Sequence, residues 1–218
     1  DNSYVYKDGL SEKVLGEWIK KRNNAQIRKN IFIKNATYTT RLGNINKEIF
    51  HNAAKFILDQ EIDSGAYKKS EHVHADILNV DAMVATFLLK FGSKSSTENY
   101  TKAGKRAVEH ICSQQFTNGA YPYSGPKKAY PYKYHFFIPC IHYQAVTLYY
   151  LIKSSLYIKS DSLQHSIISG AKWLIKNQKD DGYFEWKNSG LNFALYLSAT
   201  YAFVLPIYQS FLSDHTNA

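Results

Sequence analysis

Three times the chain passes from an apolar, helix-like segment through a glutamine into a turn built of glycine and an aromatic residue. The first copy is Ala53 to Gln60 followed by Asp63-Ser64-Gly65-Ala66-Tyr67. The second is Ala107 to Gln114 followed by Asn118-Gly119-Ala120-Tyr121, and the third is Ala171 to Gln178 followed by Asp181-Gly182-Tyr183-Phe184. The glycines stand 54 and 63 residues apart. A spacing near that length holds two helices and two loops, so the repeating unit reads as a helical hairpin.

The rest of the pattern agrees. Outer helices are expected before each glycine turn, at about 47–60, 97–115 and 161–178. Inner helices are expected after each turn, at about 73–91, 138–154 and 190–211. Ser11 is placed to cap an earlier helix to about Ile33. Residues 1–10 and 212–218 read as irregular ends, and 121–137, with Pro122, Gly125, Pro126 and Pro131, reads as a long loop of the kind that serves function. No segment shows the period-two alternation of a strand. The fold class is therefore all-α, with repeated helical hairpins in a single domain over 1–218.

The hairpins and their glycine-aromatic turns resemble the α/α-toroid class: six-hairpin glycosidases, polysaccharide lyases and epimerases, and terpenoid-cyclase-like toroids. The stretch His72-Val73-His74-Ala75-Asp76-Ile77-Leu78-Asn79, with Asn118-Gly119-Ala120-Tyr121-Pro122-Tyr123, is similar to toroid proteins associated with surface-polysaccharide biosynthesis. The resemblance spans about residues 47–210. It implies a partial (α/α) toroid whose inner helices line a cavity. A full toroid has more hairpins than are read here. The chain is expected to be an open half-toroid, the C-terminal part of a longer toroid, or one part of a homo-oligomer.

Composition narrows the ligand. The 18 Tyr and 12 Phe exceed what a helical core requires, and Tyr suits a wet aromatic wall because its body is apolar and its tip polar. Net charge is +9, from 27 Lys and Arg against 18 Asp and Glu, which favours an acidic partner. No nucleic-acid motif accompanies that charge, so nucleic acid is not expected as a partner. The sequence holds no run long and apolar enough to span a membrane. Two cysteines, Cys112 and Cys140, do not form a disulfide framework and point weakly to reducing surroundings, hence to the cytoplasm. The chain opens on Asp1 rather than Met, which leaves room for a removed leader peptide.

Candidate catalytic residues are those that move protons near neutral pH beside aromatic walls. On the first inner helix His72, Asp76, Asn79 and Met83 fall on one helical face, with His74 and Asp81 beside the apolar stripe. Around the second are Tyr134, His135, His142 and Tyr143. Expected sugar-binding residues are Asn79, Tyr121, Tyr123, Tyr130, Tyr132, Gln144, Glu185 and Trp186, with Lys127 and Lys128 at the rim. His110 and His165, on outer helices, read as structural. Asp180 and Asp181 read as turn residues. The Cys and His spacings match no zinc signature, so neither metal nor other cofactor is expected. Phosphate-loop, dinucleotide and Gly-x-Ser-x-Gly patterns are missing from the sequence.

These features favour a carbohydrate-active toroid that acts on or binds an acidic or cell-surface polysaccharide, with lyase, epimerase or hydrolase chemistry. The alternatives are a noncatalytic glycan-binding or assembly module, and an isoprenoid-handling toroid, which Tyr and His suit less well than Phe, Trp and Leu.

Overall fold

The structure is a computed structural model that describes residues 47–70, 73–124, 140–184 and 197–214. The chain divides into two compact units, Asp1–Phe56 and Ile57–Ala218. Six helices are present among the described residues: α1 (Lys47–Leu58), α2 (Leu78–Ser95), α3 (Glu98–Ser113), α4 (Ile141–Ser155), α5 (Asp161–Asn177) and α6 (Leu197–Asp214). The expected helix over 11–33 lies outside the described residues.

The three predicted hairpin turns are there, and the helices before and after them largely match expectation. The second unit is built from α2 packed on α3 and α4, and α4 packed in turn on α5 and α6. Thr86, on α2, shows how inner helices adhere through polar groups. Its hydroxyl contacts Ala82 O, Tyr150 O and Ser154 Oγ within 3.0 Å. Apolar burial does the rest, with Leu88, Leu89, Ile111, Leu148, Leu151 and Leu174 fully enclosed.

One expectation fails. The region from 61 to 76 is a small antiparallel sheet, not loop and helix: β1 (Glu61–Asp63), β2 (Ala66–Ser70) and β3 (Val73–Asp76), in the order β1-β2-β3. The first inner helix therefore starts at Leu78 and not at 73. The shared helical face of His72, Asp76 and Asn79 dissolves with it, because Val73–Asp76 is extended and paired to β2.

The glycine turns share a geometry that the sequence repeat only approximates. Gly65, Gly119 and Gly182 all take positive φ, between 82° and 90°. The residue four positions before each glycine is Glu61, Gln115 or Gln178, so the true register differs by one from the Gln60/Gln114/Gln178 alignment in the first two copies and agrees with it in the third. The reason is reach. Gln115 Nε2 donates to Gly119 O at 3.0 Å and Gln178 Nε2 to Gly182 O at 2.8 Å. Glu61, which has no donor, instead accepts from Gly65 N–H at 2.9 Å and pairs with Arg106.

The aromatic residue two positions after each glycine, Tyr67, Tyr121 or Phe184, is buried. Its backbone N–H goes to a side chain of the following inner helix. Tyr67 N–H donates to Asp81 Oδ1 at 2.9 Å, and Tyr121 N–H to Gln144 Oε1 at 2.7 Å. Phe184 N–H bonds the Tyr201 hydroxyl. Two of these side chains also donate back to the glycine carbonyl: Gln144 Nε2 to Gly119 O at 3.0 Å, and Tyr201 Oη to Gly182 O at 2.6 Å. Asp81, Gln144 and Tyr201 are thus three clamps in one structural position.

Candidate functional site

The starts of the first two inner helices meet. Ile77 and Ser124 form an antiparallel bridge, and Leu78 N–H donates to Tyr123 O at 3.3 Å. This places the turn after Gly119 across the head of α2. There Ile77 and Tyr123 form a small apolar cluster with the half-buried Val80 and Tyr143. The Tyr123 and Tyr143 ring centroids lie 4.4 Å apart, a tilted pair. Asn79 sits in the first turn of α2, and its buried Oδ1 accepts no hydrogen bond among the described residues.

His142, beside Tyr143 on α4, extends this surface toward α6. Its ring lies edge-on to Tyr143 at 5.3 Å and to Phe203 at 6.0 Å, and Nδ1 is 3.0 Å from Thr200 Oγ1. Burial pushes the imidazole down from 6.5 to about 4, so it is neutral near physiological pH. A neutral imidazole oriented by a hydroxyl exchanges hydrogen bonds or a proton with a bound hydroxyl group.

That burial has a measurable cost. The unfolded chain takes up a proton at this residue as pH falls through about 6.5, whereas the folded chain resists until about 4, so acid favours unfolding. Relative to a His142→Gln variant, the parent should lose about 2 kcal/mol of stability between pH 6.5 and pH 5. Urea unfolding of both proteins at the two pH values measures it.

A second polar group lies between the sheet and α3. Asp76, 1% exposed, places Oδ2 at 3.0 Å from His110 Nε2, whose side chain is 7% exposed. Asp81 is fully buried and keeps Oδ1 on the Tyr67 N–H. Asp76 Oδ1 and Asp81 Oδ2 are buried with no donor group among the described residues, and the two carboxyl groups have oxygens within 4.8 Å of each other. Burial first, then the nearby Asp76 charge and a hydrogen bond to it, push the Asp81 carboxyl well above the usual carboxylate range. Asp76, Asp81 and His110 each offer a ligand-type atom within 4.8 Å of the others, a spacing that suits either a shared proton or a cation. The group is already organised for hydrogen bonding.

The sequence-predicted residues separate accordingly. Tyr123, Tyr143 and His142 come together at the heads of α2 and α4, and Asn79 lies in the first turn of α2. Asp76 belongs to the sheet–α3 cluster, beside the very His110 that the sequence assigned to structure. Tyr121 and Gln144 are buried, and their polar groups hold the second turn; the Tyr121 hydroxyl makes a short contact to Ser166 Oγ. His74 lies in β3, with only its backbone described. His72, Lys127, Lys128, Tyr130, Tyr132, Tyr134, His135, Glu185 and Trp186 lie outside the described residues. Sequence reading missed Thr200 and Phe203 as neighbours of His142, since nothing local marks a contact across 58 positions.

No known protein family matches the sequence, and no curated protein matches it. Solved structures do. One is the unsaturated glucuronyl hydrolase of Bacillus sp. GL1, described as responsible for the degradation of glycosaminoglycan. It matches with a TM-score of 0.56 and 13% identity, over 71% of this chain and 46% of that one. Another, a UGL variant with dGlcA-Glc-Rha-Glc, matches with a TM-score of 0.57 and 12% identity, over the same shares. The fold is thus of the α/α-toroid class, as the glycine-turn repeat predicted. The chain spans less than half the length of either neighbour. Among the described residues no helix is long and apolar enough to cross a membrane.

Proposed function

We propose that this protein is a carbohydrate-active toroid that recognises an acidic, uronate-containing glycan at the heads of its inner helices. The observation behind the proposal is the meeting of Tyr123, Tyr143 and the neutral His142; Asn79, in the first turn of α2, adds a buried Oδ1 with no partner among the described residues. Aromatic faces take the apolar faces of sugar rings, and a buried acceptor without a partner asks for a ligand hydroxyl. His142, oriented by Thr200, is the proton-transfer candidate. Tyr134 and His135 join it as proposed partners on the strength of the sequence pattern around the second inner helix. Lys127 and Lys128 supply charge that draws an anionic chain in. The neighbours' reported action on glucuronyl-containing glycans supports a uronate as the recognised sugar.

The test is incubation with oligosaccharides that end in an unsaturated uronate, following release of the uronate and, in parallel, binding at rising salt. Turnover that His142→Ala reduces at least a hundredfold, with helical content unchanged, is the expected result. Binding without turnover supports the noncatalytic glycan module. Neither binding nor turnover across acidic glycans would overturn the proposal.

A further inference from the structure

The three turn clamps differ in one respect that their chemistry makes costly. Gln144 and Tyr201 each accept the aromatic residue's N–H and donate onward, to Gly119 O and Gly182 O. Asp81 accepts from Tyr67 N–H in the same way, but an ionised carboxylate has no hydrogen to donate. It would also be a fully buried charge facing a second buried carboxylate. One proton removes both problems. It gives Asp81 the donor that its two counterparts possess, and it pairs the two orphaned oxygens, Asp81 Oδ2 and Asp76 Oδ1.

We propose that Asp81 is a protonated clamp on the first glycine turn, sharing its proton with Asp76, whose other oxygen is held by His110. The turn is then locked by a relay from the Tyr67 N–H through Asp81 and Asp76 to α3, and the lock opens when the proton leaves. Gly65 is seated against the backbone of Arg106, one turn of α3 before His110, so loosening the relay frees the turn from its support. The groups that face the relay are Tyr67 from β2, Glu61 from β1, and Arg106 and His110 from α3.

The sign follows from proton counting. The unfolded chain releases the Asp81 proton above about pH 4, whereas the folded chain retains it to higher pH. The contribution of this group is full below about pH 4 and is lost as pH rises through the folded-state midpoint. Asp81→Asn provides the test because an amide accepts and donates at every pH, as Gln144 does. Comparing it with the parent also cancels the titration of Glu61, Arg106, His110 and His142, which both proteins contain.

Urea unfolding of the full chain should show the parent's folding constant falling relative to Asp81→Asn, by about tenfold per pH unit from pH 4 to the folded-state midpoint. Asp76→Asn, which removes the Asp76 charge and offers an amide donor but leaves Asp81 buried, should make the profile shallower without abolishing it. The parent should also show a protonated-carboxyl infrared band that Asp81→Asn lacks. A parent-to-variant difference that does not change with pH, loss of folding in both variants, or a parent without that band would overturn the proposal. So would tight binding of one Mn²⁺, Ca²⁺ or Zn²⁺ per chain that Asp81→Asn abolishes, since a cation would then fill the place assigned to the proton.

Discussion

Gly119→Ala should lose about 4 kcal/mol of stability, a large share of the roughly 5–15 kcal/mol that holds a domain of this kind folded. Two costs combine. At φ +90° an L side chain is in the left-handed region, which costs roughly 1–2 kcal/mol. The new Cβ would also be driven into Ser169 O, a backbone atom inside α5 that cannot step aside. Overpacking of that kind adds roughly 1–3 kcal/mol. Gly182→Ala is the internal control. Its φ is +85°, but the nearest atom to its Cβ is Gln178 Nε2, at 3.8 Å. It should therefore cost only the conformational part, roughly 1–2 kcal/mol. Thermal or urea unfolding of the two variants measures both. Equal losses would mean that the close approach to α5 does not matter.

Gln144→Ala should come close behind, at about 3 kcal/mol. Its side chain is 1% exposed and accepts from Tyr121 N–H while donating to Gly119 O and Gly170 O. Gly119 O retains the bond from Gln115 Nε2, so it is only partly deprived. Tyr121 N–H has no such reserve, and an orphaned buried donor costs roughly 1–3 kcal/mol before the cavity is counted. Gln144→Leu fills the cavity without restoring the hydrogen bonds. The difference between the Leu and Ala variants therefore separates packing from polar satisfaction, and unfolding midpoints read both.

Much of this was visible in the sequence, and the misses have physical causes. The glycine turns were legible because positive φ restricts residue choice wherever it occurs. The helices were legible from their apolar faces. The β2–β3 hairpin was not, because Lys68-Lys69-Ser70 has no apolar alternation to reveal it. The clamps escaped the repeat search for a different reason. An aspartic acid, a glutamine and a tyrosine share no residue identity, and what they share is one acceptor and one donor in the same place. Residues meeting across helices, such as His142 and Thr200, leave no local trace at all. The candidate site was thus legible only in part: His142 and Tyr143 stand on α4, where the sequence put them, while the helical face assigned to His72 and Asp76 depended on a helix start five residues too early.

The first two glycine turns each rest on an outer helix that comes later in the chain. Gly65 sits on Arg106 of α3, and Gly119 on Ser169 of α5. Support therefore runs forward along the sequence, and synthesis meets it in the wrong order. As the chain emerges from the ribosome, the Gly119 turn must wait, with Ala120 and Tyr121 uncovered, until α5 has followed it out. A stall between the two leaves an aromatic turn without its seat. That interval is where a nascent copy of this protein is most in need of a chaperone.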